Sequence, residues 1–95
     1  MTVRIRRFRW RLAIVDKLIG KHGVDPSQVE SALWNTDPAP YVERAGDRYI
    51  ALAQAEENGE CLFIVFALDV GEATVISARR MTEAEQRRFR RLRGN

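Results

Sequence analysis

Residues 58–68 read Asn-Gly-Glu-Cys-Leu-Phe-Ile-Val-Phe-Ala-Leu, and the part from Cys61 to Leu68 is the most apolar run in the chain. A continuous apolar run this short, bounded by turn residues, reads as the central strand of a sheet. A membrane span would need about 20 apolar residues, and no run approaches that length. The Asn58-Gly59 pair favours a tight reversal, because both residue types tolerate positive φ. The preceding segment, from Arg48 to about Ala55, is therefore the other arm of a hairpin. Working outward, a turn at Asp69–Glu72 leads into a third long strand, Ala73–Arg80. Upstream, a turn at Ala45-Gly46-Asp47 separates a short strand over Tyr41–Arg44 from the hairpin.

Helical signals flank this meander. Thr82 is placed to cap a C-terminal helix, with Glu85 completing the capping box and Phe89 and Leu92 as inward contacts. Near the N-terminus, Leu12, Val15, Leu18 and Ile19 recur at spacings of three and four and predict a helix over residues 12–22. Gly23 stands where a helix commonly turns into the left-handed region. A second helix starts at Asp25-Pro26-Ser27-Gln28, with Asp25 as N-cap, Pro26 at the first helical position and Gln28 three residues after the cap. Val29, Ala32 and Leu33 are its inward candidates, and the Asn35–Pro40 stretch ends it. Before the first helix, Val3, Ile5, Phe8 and Trp10 alternate imperfectly with arginine, as in an edge strand or an extended arm. The expectation is an α+β fold: two N-terminal helices, an antiparallel sheet of three to four strands and a C-terminal helix.

Ninety-five residues allow one domain, 1–95, with a basic N-terminal segment and no room for a second core. A composition of 45% hydrophobic and 31% charged residues argues against a disordered chain. Cys61 is the single cysteine, so no intramolecular disulfide can form, and one cysteine beside one histidine argues against structural zinc. The N-terminus lacks the continuous apolar segment of a signal peptide, and a cytoplasmic location is expected.

Charge is unevenly distributed. Residues 1–11 carry +5, residues 12–78 carry −7 and residues 79–95 carry +5, for a net charge of +3. All twelve basic residues of the two terminal segments are arginine, the side chain suited to bidentate contact with phosphate or carboxylate. If the two ends meet, they form one guanidinium field for nucleic acid or an acidic protein; apart, they are ordinary solvated surface.

No phosphate loop, dinucleotide fingerprint, metalloprotease motif or calcium loop is present. Lys21 sits between glycines without the spacing of a nucleotide cradle. His22, near a helix end, suits either capping or proton transfer. Trp10 and Trp34 suit core packing or stacking on a base. Cys61 reads as a small core residue. In Val75-Ile76-Ser77-Ala78-Arg79-Arg80, a regular strand places Ser77 and Arg79 on one face and Ile76, Ala78 and Arg80 on the other, so arginine stands on both sides of the strand end. Arg87, Arg88 and Arg91 extend the positive surface along the next helix, or form a plain exposed helix face.

Several of these segments, taken in order, resemble the BrnT-type toxins of bacterial type II toxin–antitoxin systems. They are Phe8-Arg9-Trp10, Lys21-His22-Gly23-Val24, the Arg48-Tyr49 strand start, and Ile76-Ser77-Ala78-Arg79-Arg80 before Thr82-Glu83-Ala84-Glu85. The resemblance spans roughly residues 8–90. It implies a small ribonuclease fold akin to RelE-like toxins, a ribbon-helix-helix antitoxin as partner, and operator DNA bound through that antitoxin. No metal and no cofactor are expected, because the acids are dispersed along the sequence and phosphate chemistry can proceed with protein cations. Lys21, His22 and Arg79 are the catalytic candidates, with Arg80, Arg48 and Tyr49, and the helix residues Arg87, Arg88 and Arg91, on the RNA. In such chemistry the RNA 2′-hydroxyl attacks the scissile phosphate; His22 would move a proton, while Arg79 and Lys21 would stabilise the phosphorane. Two positions depart from the family pattern: Arg11 replaces the usual acid after Phe-x-Trp, and Leu18 the usual asparagine. They motivate the alternatives, a noncatalytic antitoxin-binding relative or a plain nucleic-acid binder.

Overall fold

The computed structural model describes residues 3–93. In chain order its elements are β1 (Arg7–Arg9), α1 (Leu12–Lys17) running into a π-helical turn (Leu18–His22), α2 (Pro26–Trp34), β2 (Tyr41–Ala45), β3 (Arg48–Gln54), β4 (Cys61–Asp69), β5 (Glu72–Arg80) and α3 (Glu83–Leu92). The fold is α+β. One five-stranded sheet has the order β1-β5-β4-β3-β2, with the apolar strand β4 in the middle, as its composition predicts.

The sheet differs from expectation in number and direction. It has five strands, and it is mixed, because β1 pairs in parallel with the start of β5. The alternation of arginine with apolar residues marks this segment as an edge strand, which β1 is, but it does not show which strand β1 joins or in which direction. The strand is held by its backbone: the N–H groups of Arg6 and Arg7 both donate to the Gly71 carbonyl, at 2.7 and 3.2 Å.

Alternation assigns the two faces. Val42, Ala51, Ala53, Leu62, Ile64, Phe66, Ala73, Val75 and Ala78 lie beneath α1, the π turn and α2, joining Leu18, Val24, Val29, Ala32 and Leu33 in the main core. On the opposite face, α3 packs Phe89 against Leu52 and Met81, bordered by Tyr41, Cys61 and Phe63. Cys61 is thus half-buried at the rim of the smaller core.

In β5 the parity changes. Val65 pairs with Ser77 and Phe66 with Val75, which leaves Ile76 without a partner in a β-bulge. Ala73 and Val75 therefore share the main-core face with Ala78 and Arg80, which strict alternation forbids. The first helix also departs from its pattern. Of the expected apolar stripe only Leu18 is fully buried; Ile19, within the π turn, and Leu12, at the start of α1, stand exposed. Leu92, expected inward on α3, is also exposed at 42%.

The cap signals form as predicted. Asp25 accepts from the Ser27 N–H at 2.9 Å, Gln28 returns a bond to the Asp25 N–H, and Thr82 and Glu85 make the same reciprocal pair at α3. Gly23 adopts φ +62° after the π turn. No helix among the described residues is long and apolar enough to cross a membrane.

Candidate nucleic-acid interface

α3 covers only one end of its face of the sheet. The remainder presents a row of Glu43, Ile50, Val65 and Ser77 on β2, β3, β4 and β5. Beyond it come Ala45, Arg48, Ala67 and Thr74. Ile50, Val65, Ala67, Thr74 and Ser77 are half-buried with no helix above them, which makes a shallow open floor.

Where this floor meets α3, three side chains converge. Tyr41 and Glu43 are two residues apart on β2, and strand alternation points both to the α3 face. The Tyr41 hydroxyl donates to Glu43 Oε2 at 3.4 Å, and Arg88 Nη2 approaches the same oxygen at 3.4 Å. The Arg88 guanidinium carbon also lies 5.5 Å from the Tyr41 ring centroid. Both bonds are long, and the carboxylate remains 41% exposed, so Glu43 is held loosely and accessibly.

Arg79, on the same face but deeper beneath α3, is bound differently. Its two terminal nitrogens donate to the two Glu85 oxygens at 2.8 and 2.9 Å, a bidentate pair, and Nη1 also reaches the Arg80 carbonyl at 3.1 Å. The guanidinium lies 4.3 Å over Phe63. Hydrogen bonding to Arg79 holds the Glu85 carboxyl down at about 2, and the carboxylate in turn pushes the Arg79 guanidinium up. The capping residue of α3 is therefore also the counter-ion of the strand-end arginine, and this joins helix to sheet.

Arg80 points to the other face. Its Nη1 donates to the His22 carbonyl at 3.0 Å, Nη2 to the Gly23 carbonyl at 3.4 Å, and Nε to Glu60 at 3.2 Å. It ties the end of the π turn to the sheet and is not free to track an RNA backbone. His22 and Lys21 lie with that turn on the main-core face, so the sheet separates them from Arg79. The expected cooperation of Arg79 with Lys21 and His22 at one phosphate has no geometric basis here, because adjacent residues of a strand leave it in opposite directions.

Of the remaining candidates, Arg48 is exposed beside the open floor, whereas Tyr49 stacks on Phe66 at 5.5 Å in the main core, with Arg44 over its ring. Tyr49 is thus a packing residue. Arg87 and Arg91 project from the solvent side of α3 with no acid partner among the described residues, and Arg88 alone turns to the floor. The two basic segments do not merge into one field. β1 joins β5 at Glu72–Thr74 and α3 leaves it after Arg80, about 20 Å away at a strand's rise per residue. The indole N–H groups of Trp10 and Trp34 donate to Glu30 at 2.7 Å and to the Ile5 carbonyl at 2.9 Å. Both rings thereby anchor the N-terminal arm to α2.

At its far end the floor opens into a cleft of about 280 Å³ between Arg11, Ile14, Asp47, Arg48, Ala67, Thr74 and Ile76. Among the described residues no three His, Cys, Asp or Glu side chains gather where a metal ion could be held.

The chain matches no family model, no curated protein and no solved structure. The functional reading therefore rests on the chain's own geometry. Tyr41 and Glu43 are the site residues that sequence reasoning passed over. Their Tyr-x-Glu spacing on a short strand was the available signal, but Arg88 is 45 residues from Glu43, and only the fold joins them.

Proposed function

We propose that the protein is an RNA-cleaving toxin of the cytoplasm that works across the open floor of its sheet without a metal, and that a ribbon-helix-helix antitoxin neutralises it by laying acidic residues against the same arginines. The observation that carries this reading is Glu43, a carboxylate held between a phenol and a guanidinium at the edge of a sheet face bordered by arginine. In the proposed reaction Glu43 takes the proton of an RNA 2′-hydroxyl. The 2′-oxygen attacks the adjacent phosphorus and forms a 2′,3′-cyclic phosphate, and the 5′-oxygen departs as an alcohol after taking a proton from water. Arg88 supplies charge to the phosphorane, a role guanidinium performs without losing its proton, and Arg48, at the far end of the floor, holds the flanking strand. Arg79 is a positioning residue here, since its Glu85 pair fixes α3 and hence Arg88.

A second reading, a noncatalytic relative that binds RNA or the antitoxin alone, is favoured by the separation of Lys21 and His22 from Arg79. One experiment decides between them: the full chain on mixed-sequence RNA with EDTA present, comparing wild type with Glu43→Gln and Arg48→Ala. The expected result is wild-type cleavage that falls about 10²- to 10⁴-fold in Glu43→Gln, the range for loss of a general base, with RNA affinity retained. RNA binding by the wild type with no cleavage selects the second reading. Folded wild type that neither binds nor cuts RNA sinks the first reading and reduces the second to a relative that binds the antitoxin alone.

A further inference from the structure

Arg11 and Arg48 come from distant parts of the chain, the residue before α1 and the first residue of β3, yet they line one cleft. Both are exposed, and neither has an ion pair with any acid among the described residues. Asp47 shares the cleft and also lacks an ion pair among the described residues, so two arginines and one aspartate line it, and the site keeps an excess of positive charge. Repulsion between two such cations in a concave site is relieved by an anion that both can reach. Between them the wall is apolar: Ile14, Ala67 and Ile76, with the Thr74 hydroxyl as a further polar group. Ile76 is available because the bulge in β5 leaves it unpaired. At about 280 Å³ the cleft suits one small ligand unit.

We propose that this cleft holds a single nucleotide, its phosphate between Arg11 and Arg48 and its sugar and base against Ile14 and Ile76; the proposal rests on the RNA reading above and locates one subsite of the bound strand. Two arginines bind a phosphate through charge-assisted hydrogen bonds, and the apolar wall rewards a nucleotide over a bare anion. Asp47 opposes the phosphate, and its position therefore sets where the base end lies, away from the carboxylate.

The test uses the full chain, with adenosine 5′-monophosphate and inorganic phosphate as probes at fixed ionic strength, followed by amide chemical shifts. Wild type is compared with Arg11→Gln, Arg48→Gln and Arg87→Gln, the last on the outer side of α3. All three side chains are exposed, and thermal melts confirm that the variants fold. The nucleotide is expected to shift the amides of Asp47, Arg48, Thr74 and Ile76. It should bind about tenfold tighter than phosphate, and lose about tenfold in Arg11→Gln and in Arg48→Gln but not in Arg87→Gln. Equal affinity for nucleotide and phosphate would reduce the cleft to an anion site and overturn the assignment, as would titrations unchanged by Arg11→Gln and Arg48→Gln. RNA affinity, measured in parallel, keeps the two readings apart. Wild type that binds the nucleotide in the cleft but not RNA overturns the RNA reading and leaves the cleft a nucleotide site. RNA affinity reduced no further by Arg11→Gln and Arg48→Gln than by Arg87→Gln overturns the subsite alone.

Discussion

Replacing Glu85 with glutamine tests whether one ion pair fastens α3 to the sheet. The amide oxygen of the new side chain can still accept from the Thr82 N–H, so the capping box persists and the substitution isolates the charge on the Arg79 pair. The carboxyl sits at about 2 in the folded chain against an ordinary 4.5. That difference corresponds to about 3 kcal/mol before solvent screening. Arg79 is 37% exposed and Glu85 23%, so water screens the pair, and about 1–2 kcal/mol is the expected contribution. For a domain of this size, Glu85→Gln should lower the Tm at pH 7 by about 5–15 °C. The pH dependence has a definite sign. Because the folded carboxyl is depressed, its stabilisation is fully present above about pH 4.5 and is lost as pH falls towards 2. The variant lacks that stabilisation at every pH. Thermal or urea melts followed by circular dichroism should therefore show a gap between wild type and variant at pH 6 that shrinks to about a quarter by about pH 2.5. A gap of equal size at both pH values, or none at pH 6, would refute the reasoning.

The β4–β5 turn yields two predictions of opposite sign, readable in the same melts. Val70 is a β-branched, 84% exposed residue at φ +46°, a conformation asparagine tolerates better, so Val70→Asn should stabilise the chain by about 1 kcal/mol. Gly71→Ala should destabilise it by about 1 kcal/mol or more. At φ +80° the new methyl carbon would stand 3.0 Å from Cγ of Arg6, whose N–H is bonded to the same glycine's carbonyl, and amide exchange of Arg6 and Arg7 should accelerate.

Local chemistry made much of this protein legible from its sequence. The apolar strand Cys61–Leu68, the Asp25 and Thr82 caps and the glycine turns depend on residues within a few positions of one another, and each forms where its pattern points. That arginine would stand on both faces at the end of β5 was equally readable, because adjacent strand residues must alternate. What the sequence could not express were the events that shift a pattern by one residue. The π turn breaks the three-and-four spacing after Lys17, with Ile19 left exposed, and the bulge at Ile76 reverses the parity of β5. Neither follows from the residue spacing on which a reading of the sequence rests. Partner choice was decided the same way. Arg79 faces Glu85 and not His22, Arg80 holds the carbonyls of His22 and Gly23, Arg88 meets Glu43, and Arg11 meets Arg48 across a cleft. A list of residues states which charges exist; distances across the tertiary structure decide which are neutralised and which remain for a ligand.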